Sequence, residues 1–254
     1  MDLGLSDRVY IVTGASRGLG RACAQVLSDE GAQLVVSSRD AAAVGAAADD
    51  LGGGDRVIAM AADLGDPAAP EQLVAAAMGR FRRLDGALIS VGGPPGGTAM
   101  DSPEEDWHTA FDTVFLGALR TARAVTRGFS AEGGSLVLVL SSSVKSPISG
   151  LAISNGLRPG LAMLAKTLAA ELGPRAIRVT AVLPGRIDTD RVRQLDAAGG
   201  DPDAARAAVE GTIPLRRYGG PEEFARAAVF LLSPAASYVT GTTLAVDGGA
   251  LRTL

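Results

Sequence analysis

The 254-residue chain has almost none of the side chains that build disulfides or metal sites. It contains one cysteine, Cys23, and one histidine, which excludes an intrachain disulfide and a metal site made of several cysteines. So few thiols are typical of proteins in a reducing compartment, and we therefore expect a cytoplasmic location. We also expect no bound metal.

Long apolar runs and an excess of positive charge are missing as well. No apolar stretch approaches the roughly 18 residues needed to cross a bilayer, and the chain opens without the charged and apolar regions of a secretory signal. A net charge of −4 gives no basic surface for nucleic acid. We therefore expect neither a membrane nor a nucleic acid as a partner.

The residues that are present describe a globular chain, since 47% are hydrophobic and 20% are charged. Short apolar runs rich in β-branched residues alternate with alanine-rich stretches of helical periodicity. Strands are predicted at residues 8–12, 33–37, 56–61, 86–91, 135–140, 177–183 and 243–246, and the longest helix at residues 103–129. Apolar strands separated by helices indicate an α/β fold, with helices on both faces of a parallel sheet.

Three glycines, Gly14, Gly18 and Gly20, lie where the first predicted strand turns into the first helix. Glycine permits a tight turn in which backbone N–H groups approach a pyrophosphate, and the helix N-terminus behind it favours an anion. The pattern therefore predicts a dinucleotide-binding loop; the alternative is a tight turn without a ligand. The other loop residues that we expect to bind the dinucleotide are Ser16, Arg17 and Leu19.

The end of the second strand indicates which dinucleotide is bound. Units that bind NAD usually place an acidic residue there, which accepts a hydrogen bond from the ribose 2′-hydroxyl. This strand instead ends in Ser38 and Arg39. Together with Arg17, these groups suit a 2′-phosphate through charge-assisted hydrogen bonds, which favours NADP over NAD. The alternative is that Arg39 is an ordinary solvated side chain, or that Asp40 neutralises it.

Motifs spread over nearly the whole chain resemble those of the short-chain dehydrogenase/reductase family. They lie at residues 13–20, 62–64, 142–144, 184–189, 219–223 and 238–249. The resemblance implies a Rossmann-type doubly wound sheet of about seven strands, in a single domain over residues 1–254. It also implies a homodimer or homotetramer and a substrate lid near residues 190–213.

The same resemblance implies further contacts to the cofactor. Asp63 would meet the adenine, and Thr189 would meet the nicotinamide amide. The other positions that match the family's cofactor-binding motifs are Leu64, Gly92, Pro184, Gly185 and Ile187.

The catalytic residues of the family are not all present. The family uses a serine, a tyrosine that protonates the substrate oxygen, a lysine that binds the nicotinamide ribose and lowers the tyrosine pKa, and a helper asparagine. Ser143 matches the serine, but Ser154 stands at the tyrosine, Arg158 at the lysine and Phe115 at the asparagine. A serine hydroxyl is far less acidic than a phenol, and an arginine stays protonated, so this set cannot relay a proton as the family does.

Pro159 is expected to disturb the helix that carries these residues. Proline lacks the N–H of a helical residue and biases the residue before it, Arg158, away from helical geometry. We therefore predict that the helix begins or kinks near Leu157. In that case Ser154 and Arg158 need not lie on one face.

Three cations could replace the missing acid or recognise an anionic substrate. Lys145 lies two residues beyond the matching serine, Arg186 follows a Pro-Gly turn, and Arg158 enters from the helix. If they converge, the pKa of Lys145 could fall far enough for it to act as the acid. The alternative is that Lys145 points into solvent and that Arg186 pairs with Asp188 or Asp190.

These observations leave three hypotheses. The first is an NADP(H)-dependent oxidoreductase that acts on a small carbonyl or alcohol substrate, with Ser143, Lys145, Ser154 and Arg158 as candidate catalytic residues. The second is a redox-neutral epimerase, dehydratase or lyase, and the third is a non-catalytic dinucleotide-binding subunit. The glycine turn argues against the third, and the lost catalytic positions argue against ordinary ketone reduction.

Overall fold

The computed structural model describes residues 2–197 and 200–253, and a seven-stranded sheet forms its centre. Every neighbouring pair of strands is parallel. The strands are β1 (Val9–Thr13), β2 (Gln33–Ser38), β3 (Val57–Ala61), β4 (Gly86–Ser90), β5 (Gly134–Val139), β6 (Ile177–Pro184) and β7 (Thr243–Val246). Their order across the sheet is β3-β2-β1-β4-β5-β6-β7, which confirms the predicted Rossmann-type doubly wound α/β fold.

Helices cover both faces of this sheet because alternate side chains of each central strand enter two separate cores. In β1, Tyr10 and Val12 join one core, while Val9 and Ile11 join the other. The helices are α1 (Gly18–Asp29), α2 (Ala41–Asp50), α3 (Ala69–Phe81), α4 (Glu104–Ala110), α5 (Gly117–Gly128), α6 (Ala152–Leu172), α7 (Asp190–Ala197), α8 (Pro202–Glu210) and α9 (Pro221–Leu232). Residues of α1 and α9 line the first core, and those of α3, α5 and α6 line the second.

The long helix predicted at residues 103–129 is interrupted. A π-helical segment, Phe111–Leu116, separates α4 from α5. The rings of Phe111 and Phe115 stack there, with centroids 5.2 Å apart. Phe115 also lies against α6 so closely that a β-carbon at Gly160 would come within 3.0 Å of its ring. The π-helical turn lies where this segment contacts α6. The local sequence contains no pattern that predicts such a contact.

The prediction that α6 begins or kinks near Leu157 was wrong about where the helix begins. The helix begins at Ala152 and continues through Pro159 to Leu172. Its first turns are held by neighbours distant in sequence: a β-carbon at Gly156 would come within 2.8 Å of Trp107 in α4. Tertiary packing therefore overrides the local preference of the residue that precedes proline.

The order of the strands creates a crevice at their carboxyl ends. The chain runs outward from β1 through β2 to β3, and then returns to the other side of β1 as β4. In open α/β sheets, ligands bind where the order reverses in this way. Residues 1 and 254 of the predicted domain, and residues 198 and 199 of the predicted lid, lie outside the described residues. Over residues 2–197 and 200–253, no helix combines the length and apolar character needed to span a bilayer.

Candidate active site

The glycine turn between β1 and α1 is too tight for side chains at two of its positions. A β-carbon at Gly20 would lie 2.3 Å from the carbonyl oxygen of Gly14, a distance that real contacts do not reach. Gly14 itself has a φ of +64° and would carry a β-carbon 2.9 Å from the carbonyl of Ser90 in β4. The main chain therefore stays exposed at the turn, where a pyrophosphate can approach its N–H groups.

The N-terminus of α1 lacks the side-chain cap found on the next helix. Arg17 occupies the N-cap position of α1 in an extended conformation and makes no capping hydrogen bond. In α2, by contrast, Asp40 accepts a hydrogen bond of 3.0 Å from the N–H of Ala43. The first N–H groups of α1 thus remain available to an anion, which the helix dipole also favours.

The groups predicted to select NADP stand at the same end of the sheet. Arg17 and Arg39 are exposed, and neither forms an ion pair with an acid in the part of the chain that the structure describes. Asp40, the neighbour that could neutralise Arg39, is used to cap α2. Ser38 lies at the tip of β2 and donates a hydrogen bond of 3.0 Å to the carbonyl of Asp40. Ser16 and Leu19 are half-buried in the glycine turn.

The remaining predicted cofactor residues follow the carboxyl ends of β3, β4 and β6. Asp63 is exposed and accepts a hydrogen bond of 3.0 Å from the N–H of Gly65, so its carboxylate already shapes a turn. Thr189 approaches the glycine turn, because a β-carbon at Gly18 would lie 3.8 Å from its methyl group. The others are Leu64 after β3, Gly92 after β4, Pro184 at the end of β6, and Gly185 and Ile187 beyond it.

Two serine hydroxyls meet beyond the carboxyl end of β5. The Oγ atoms of Ser143 and Ser154 lie 3.4 Å apart, and both side chains are buried. Ser141 fixes the loop because its hydroxyl accepts a hydrogen bond of 3.1 Å from the N–H of Ser143. The structure therefore brings together the residue that matches the family's serine and the one that stands at its tyrosine, as a pair of short hydrogen-bonding groups.

Arg158 lies on the buried face of α6 with Ser154, so the prediction that the two need not share a face was wrong. Its Nη1 atom donates to the carbonyls of Val139 and Leu140, at 3.1 and 3.0 Å, and its Nη2 atom makes a long contact of 3.5 Å to the carbonyl of Gly92. Burial lowers the pKa of this guanidinium to about 10, which leaves it protonated at neutral pH.

The other two predicted cations differ in their surroundings. Lys145 is half-buried, and within residues 2–197 and 200–253 its ammonium group forms no hydrogen bond or ion pair. Arg186 donates to Asp196 in α7 at 3.1 Å. The alternative pairing of Arg186 with Asp188 or Asp190 was therefore wrong, and no contact in the described chain joins the three cations into one cluster.

The acids after β6 are instead held by arginines of α7 and α8. Asp188 accepts from Arg193 at 2.9 Å and from Arg206 at 3.1 Å, and these interactions lower its pKa. Asp190 also accepts from Arg193, at 3.1 Å. The pairing of Asp188 with Arg206 depends on where α8 docks beyond the sheet, which the sequence pattern does not specify, whereas Asp190 and Arg193 lie three residues apart within α7.

Sequence reasoning missed the buried pair of Tyr218 and Asp196. The phenol donates a hydrogen bond of 3.1 Å to the carboxylate that also holds Arg186, and Arg206 lies 4.6 Å above the phenol ring. Burial and the hydrogen bond to Asp196 raise the pKa of Tyr218. This phenol is therefore engaged between α7 and α8, and 22 residues separate the partners in sequence.

Asn155 is a second residue that the sequence did not single out. Its amide donates to the carbonyl of Ile148 at 2.8 Å and accepts from the N–H of Ile148 at 3.1 Å. A parallel bridge between Gly97 and Leu151 joins the same loop to the one after β4. The two loops beside the serine pair are thus fastened to each other and to α6.

Comparisons with known proteins extend over almost the entire chain. A family model described as enoyl-(acyl carrier protein) reductase matches residues 14–250. The chain is 36% identical to L-rhamnose 1-dehydrogenase (NAD(P)(+)) of Azotobacter vinelandii, over 96% of this chain and 97% of that protein. It is 31% identical to the 3-oxoacyl-[acyl-carrier-protein] reductase of Escherichia coli, over 97% and 98%. The structure of L-sorbose reductase from Gluconobacter frateurii, complexed with NADPH and L-sorbose, has a TM-score of 0.94 and 32% identity over 100% of both chains.

Proposed function

This chain belongs to the short-chain dehydrogenase/reductase family of oxidoreductases, and on that basis we propose that it uses NADP(H) to act on a small carbonyl or alcohol substrate. The proton donor in this proposal is not a tyrosine. The observation that carries the proposal is the pair of exposed guanidinium groups, Arg17 and Arg39, beside a glycine turn that has no room for a side chain at Gly14 or Gly20.

The residues of the nucleotide end fit the phosphates of NADP. The open N-terminus of α1 suits the pyrophosphate, and the two arginines suit a 2′-phosphate, which would otherwise be a poorly compensated charge. The sorbose reductase of similar structure was solved with NADPH, and the rhamnose dehydrogenase is named for both cofactors. When bound, a reduced nicotinamide supplies a hydride equivalent.

At the reaction end, the serine pair would bind the substrate oxygen. Two hydroxyl groups with Oγ atoms 3.4 Å apart can both donate to one carbonyl oxygen, and their burial excludes competing water. Neither hydroxyl is acidic enough to protonate an alkoxide as readily as a phenol, since free tyrosine has a pKa of about 10. The pair therefore orients the substrate, and a separate group supplies the proton.

Lys145 is our proposed donor. It follows Ser143 within the same loop, and no acid in the described chain holds its ammonium group. An ammonium group beside a developing alkoxide can transfer a proton, and its charge would also attract an anionic group on the substrate. The segment that contains α7 and α8 would cover the site as a lid, because Arg191 of α7 donates to the carbonyl of Pro94 at 3.2 Å.

The test is oxidation of NADPH and of NADH, followed by absorbance, with a panel of sugar ketones, 3-oxoacyl thioesters and simple ketones. We expect turnover with NADPH, and a loss of about 10²–10⁴-fold in kcat for Lys145→Ala, as for removal of a general acid. Lys166→Ala is the matched control, because Lys166 is the chain's only other lysine and is exposed on α6. Equal kcat values for the two variants would remove Lys145 from the proposal.

A non-catalytic dinucleotide-binding subunit is the second candidate, and the contacts of Arg158 favour it. The guanidinium at the position of the family's lysine donates to main-chain carbonyls of the protein itself. This candidate predicts that the protein binds NADPH tightly and that no substrate on the panel causes NADPH oxidation. A change in substrate configuration or hydration without cofactor consumption would indicate the redox-neutral alternative.

We also propose that the protein is a homodimer or homotetramer. Met163, Tyr238 and Leu244 are large apolar or aromatic side chains with 69%, 103% and 38% exposure, which a partner copy would cover. Light scattering on the purified protein would measure the mass, and a monomer would contradict the proposal. The cytoplasmic location stays a prediction.

A further inference from the structure

The guanidinium of Arg191 reaches from the lid segment to the opposite wall of the crevice. Arg191 lies in the first turn of α7, and its Nη2 atom donates a hydrogen bond of 3.2 Å to the carbonyl of Pro94, in the loop after β4. A β-carbon at Gly93 would lie 3.7 Å from its Nε atom and 3.8 Å from Nη2. The guanidinium therefore lies over a stretch of main chain that has no side chain of its own.

The charge of Arg191 is not used by the protein. No acid in residues 2–197 and 200–253 forms an ion pair with it, and the adjacent Asp190 accepts from Arg193 instead, at 3.1 Å. The arginines of this segment that do pair with acids are Arg186, Arg193, Arg206 and Arg217. One hydrogen bond to a neutral carbonyl leaves most of the five N–H donors of Arg191 available, in the planar arrangement that suits a carboxylate.

Arg191 and the serine pair border the same short stretch of the loop after β4. Ser154 and Arg158 are separated by one helical turn of α6, about 5.4 Å along its axis. Arg158 makes its long contact of 3.5 Å to the carbonyl of Gly92. Gly92 and Pro94 are two residues apart, so their α-carbons are at most about 7 Å from each other. These separations are short enough for one small molecule to contact both the serine hydroxyls and the guanidinium of Arg191.

Positive charge exceeds negative charge around this stretch. Arg158 is charged at neutral pH and donates only to carbonyls. Lys145 is half-buried, and no acid in the described part of the chain pairs with it. The carboxylates that follow β6, Asp188 and Asp190, are held by arginines. A substrate with a carboxylate is attracted by this excess of charge, whereas a neutral ketone is not.

We infer that the substrate is a short oxo acid, whose carboxylate binds to Arg191 while its carbonyl oxygen lies at the serine pair. The inference rests on the proposed use of NADP(H). Reduction adds a hydride equivalent from NADPH to the carbonyl carbon and a proton to its oxygen, so the products are a hydroxy acid and NADP⁺, and the carboxylate is unchanged. Arg191 is thus a substrate-binding residue that selects oxo acids over neutral ketones.

Matched pairs of substrates test this on the unmodified protein. Each pair is an oxo acid and its methyl ester, with 2-oxobutanoate and 3-oxobutanoate as the acids, and the oxidation of NADPH is followed by absorbance. We expect kcat/KM of at least one acid to exceed that of its ester about 10-fold or more, because the ester lacks the charged acceptor. A smaller ratio for both pairs, or reduction of neutral ketones alone, would overturn the inference and leave the proposed function intact. If no carbonyl compound is reduced, the proposed function fails and the inference fails with it.

An Arg191→Met variant tests the assigned residue. Methionine keeps a long unbranched side chain but has no charge, so the ratio of acid to ester should fall about 10-fold or more. Arg191→Lys keeps the charge without the planar fork and should restore part of the ratio. Arg193→Met is the matched control on the same helix, because it disturbs the lid at Asp188 and Asp190 and should affect acid and ester alike. An unchanged ratio in Arg191→Met would contradict the assignment.

The dissociation constant of NADPH separates substrate binding from cofactor binding. If Arg191 serves the substrate, fluorescence titration should give an NADPH dissociation constant for Arg191→Met within about threefold of the unmodified protein. A loss of NADPH affinity as large as the loss of kcat/KM would assign the guanidinium to a cofactor phosphate and overturn the inference. Should Arg191→Met fail to fold, the matched pairs with the unmodified protein and with Arg191→Lys decide.

Discussion

The nucleotide end and the reaction end of this crevice differ in where their hydrogen-bond donors are directed. At the nucleotide end, the glycine turn, the open helix N-terminus and two arginines leave their donors directed at solvent. At the reaction end, two donors are bound to the protein itself, since Arg158 donates to strand-end carbonyls and Tyr218 donates to Asp196, and Lys145 is the donor that we propose remains available. In our proposal, the scaffold therefore binds NADP(H) while other residues stand at the positions of the family's acid–base groups.

The largest expected effect is that of Gly20→Ala at the nucleotide end. The added β-carbon would lie 2.3 Å from the carbonyl of Gly14, so the turn must open. We expect nucleotide affinity to be lost and the free energy of unfolding to fall by about 1–3 kcal/mol. Calorimetric titration and urea unfolding measure the two quantities.

The control for this variant is Gly45→Ala, because a β-carbon at Gly45 of α2 meets nothing within 4 Å. Alanine in a helix should raise the free energy of unfolding by about 0.5–1 kcal/mol and leave nucleotide binding unchanged. Wild-type affinity in Gly20→Ala would mean that the turn does not cradle the phosphates.

Arg39→Ala should have the next largest effect and sharpens the assignment of the cofactor. Loss of one charge-assisted contact to a 2′-phosphate should weaken NADPH binding about 10–100-fold and leave NADH binding within about twofold. Fluorescence titration with both cofactors measures the difference. Arg123→Ala, which removes an exposed arginine of α5, should change neither affinity. Equal losses for NADPH and NADH would contradict a role in reading the phosphate.

Tyr218→Phe has the smallest expected effect on activity and tests whether the reaction end lacks a phenolic donor. The phenol pKa is raised above its ordinary value of 10.0, chiefly by burial, so its contribution to stability is present below pH 10 and lost as the pH rises further. The variant should therefore lose less stability than the wild type between pH 10 and 12. Urea unfolding at several pH values measures this loss.

Burial also raises the pKa of Tyr10, but Tyr10 is present in both the wild type and Tyr218→Phe. The difference between their losses of stability therefore reports on Tyr218. We expect kcat of Tyr218→Phe to change less than about tenfold. A kcat loss as large as that of Lys145→Ala would identify Tyr218 as the proton donor. It would contradict the view that the phenol of Tyr218 takes no part in the reaction.

The parts of this molecule that are predictable from sequence are those set by local patterns. The parallel strands follow from short apolar runs, and the glycine turn follows from a motif that begins directly after β1. The start of α6 at Ala152 was not predictable, because contacts of Gly156 and Arg158 with distant residues outweigh the local effect of Pro159.

The same limit applies to the candidate site. Residue types place Ser143 and Ser154 beside the crevice, but only the fold shows that their hydroxyls meet. The partner of Arg186 is Asp196, which belongs to a helix whose docking depends on several ion pairs at once. Sequence spacing favoured Asp188 or Asp190 as the partner of Arg186. The actual partner depends on the long-range arrangement of α7 and α8.

A crystal structure of the complex with NADP⁺ tests the central claim most directly. The account predicts the 2′-phosphate within hydrogen-bonding distance of Arg17 and Arg39, with Tyr218 still bound to Asp196 and no phenol beside Ser143. A carboxylate bound to the adenosine ribose, or a tyrosine hydroxyl moved next to Ser143, would contradict it.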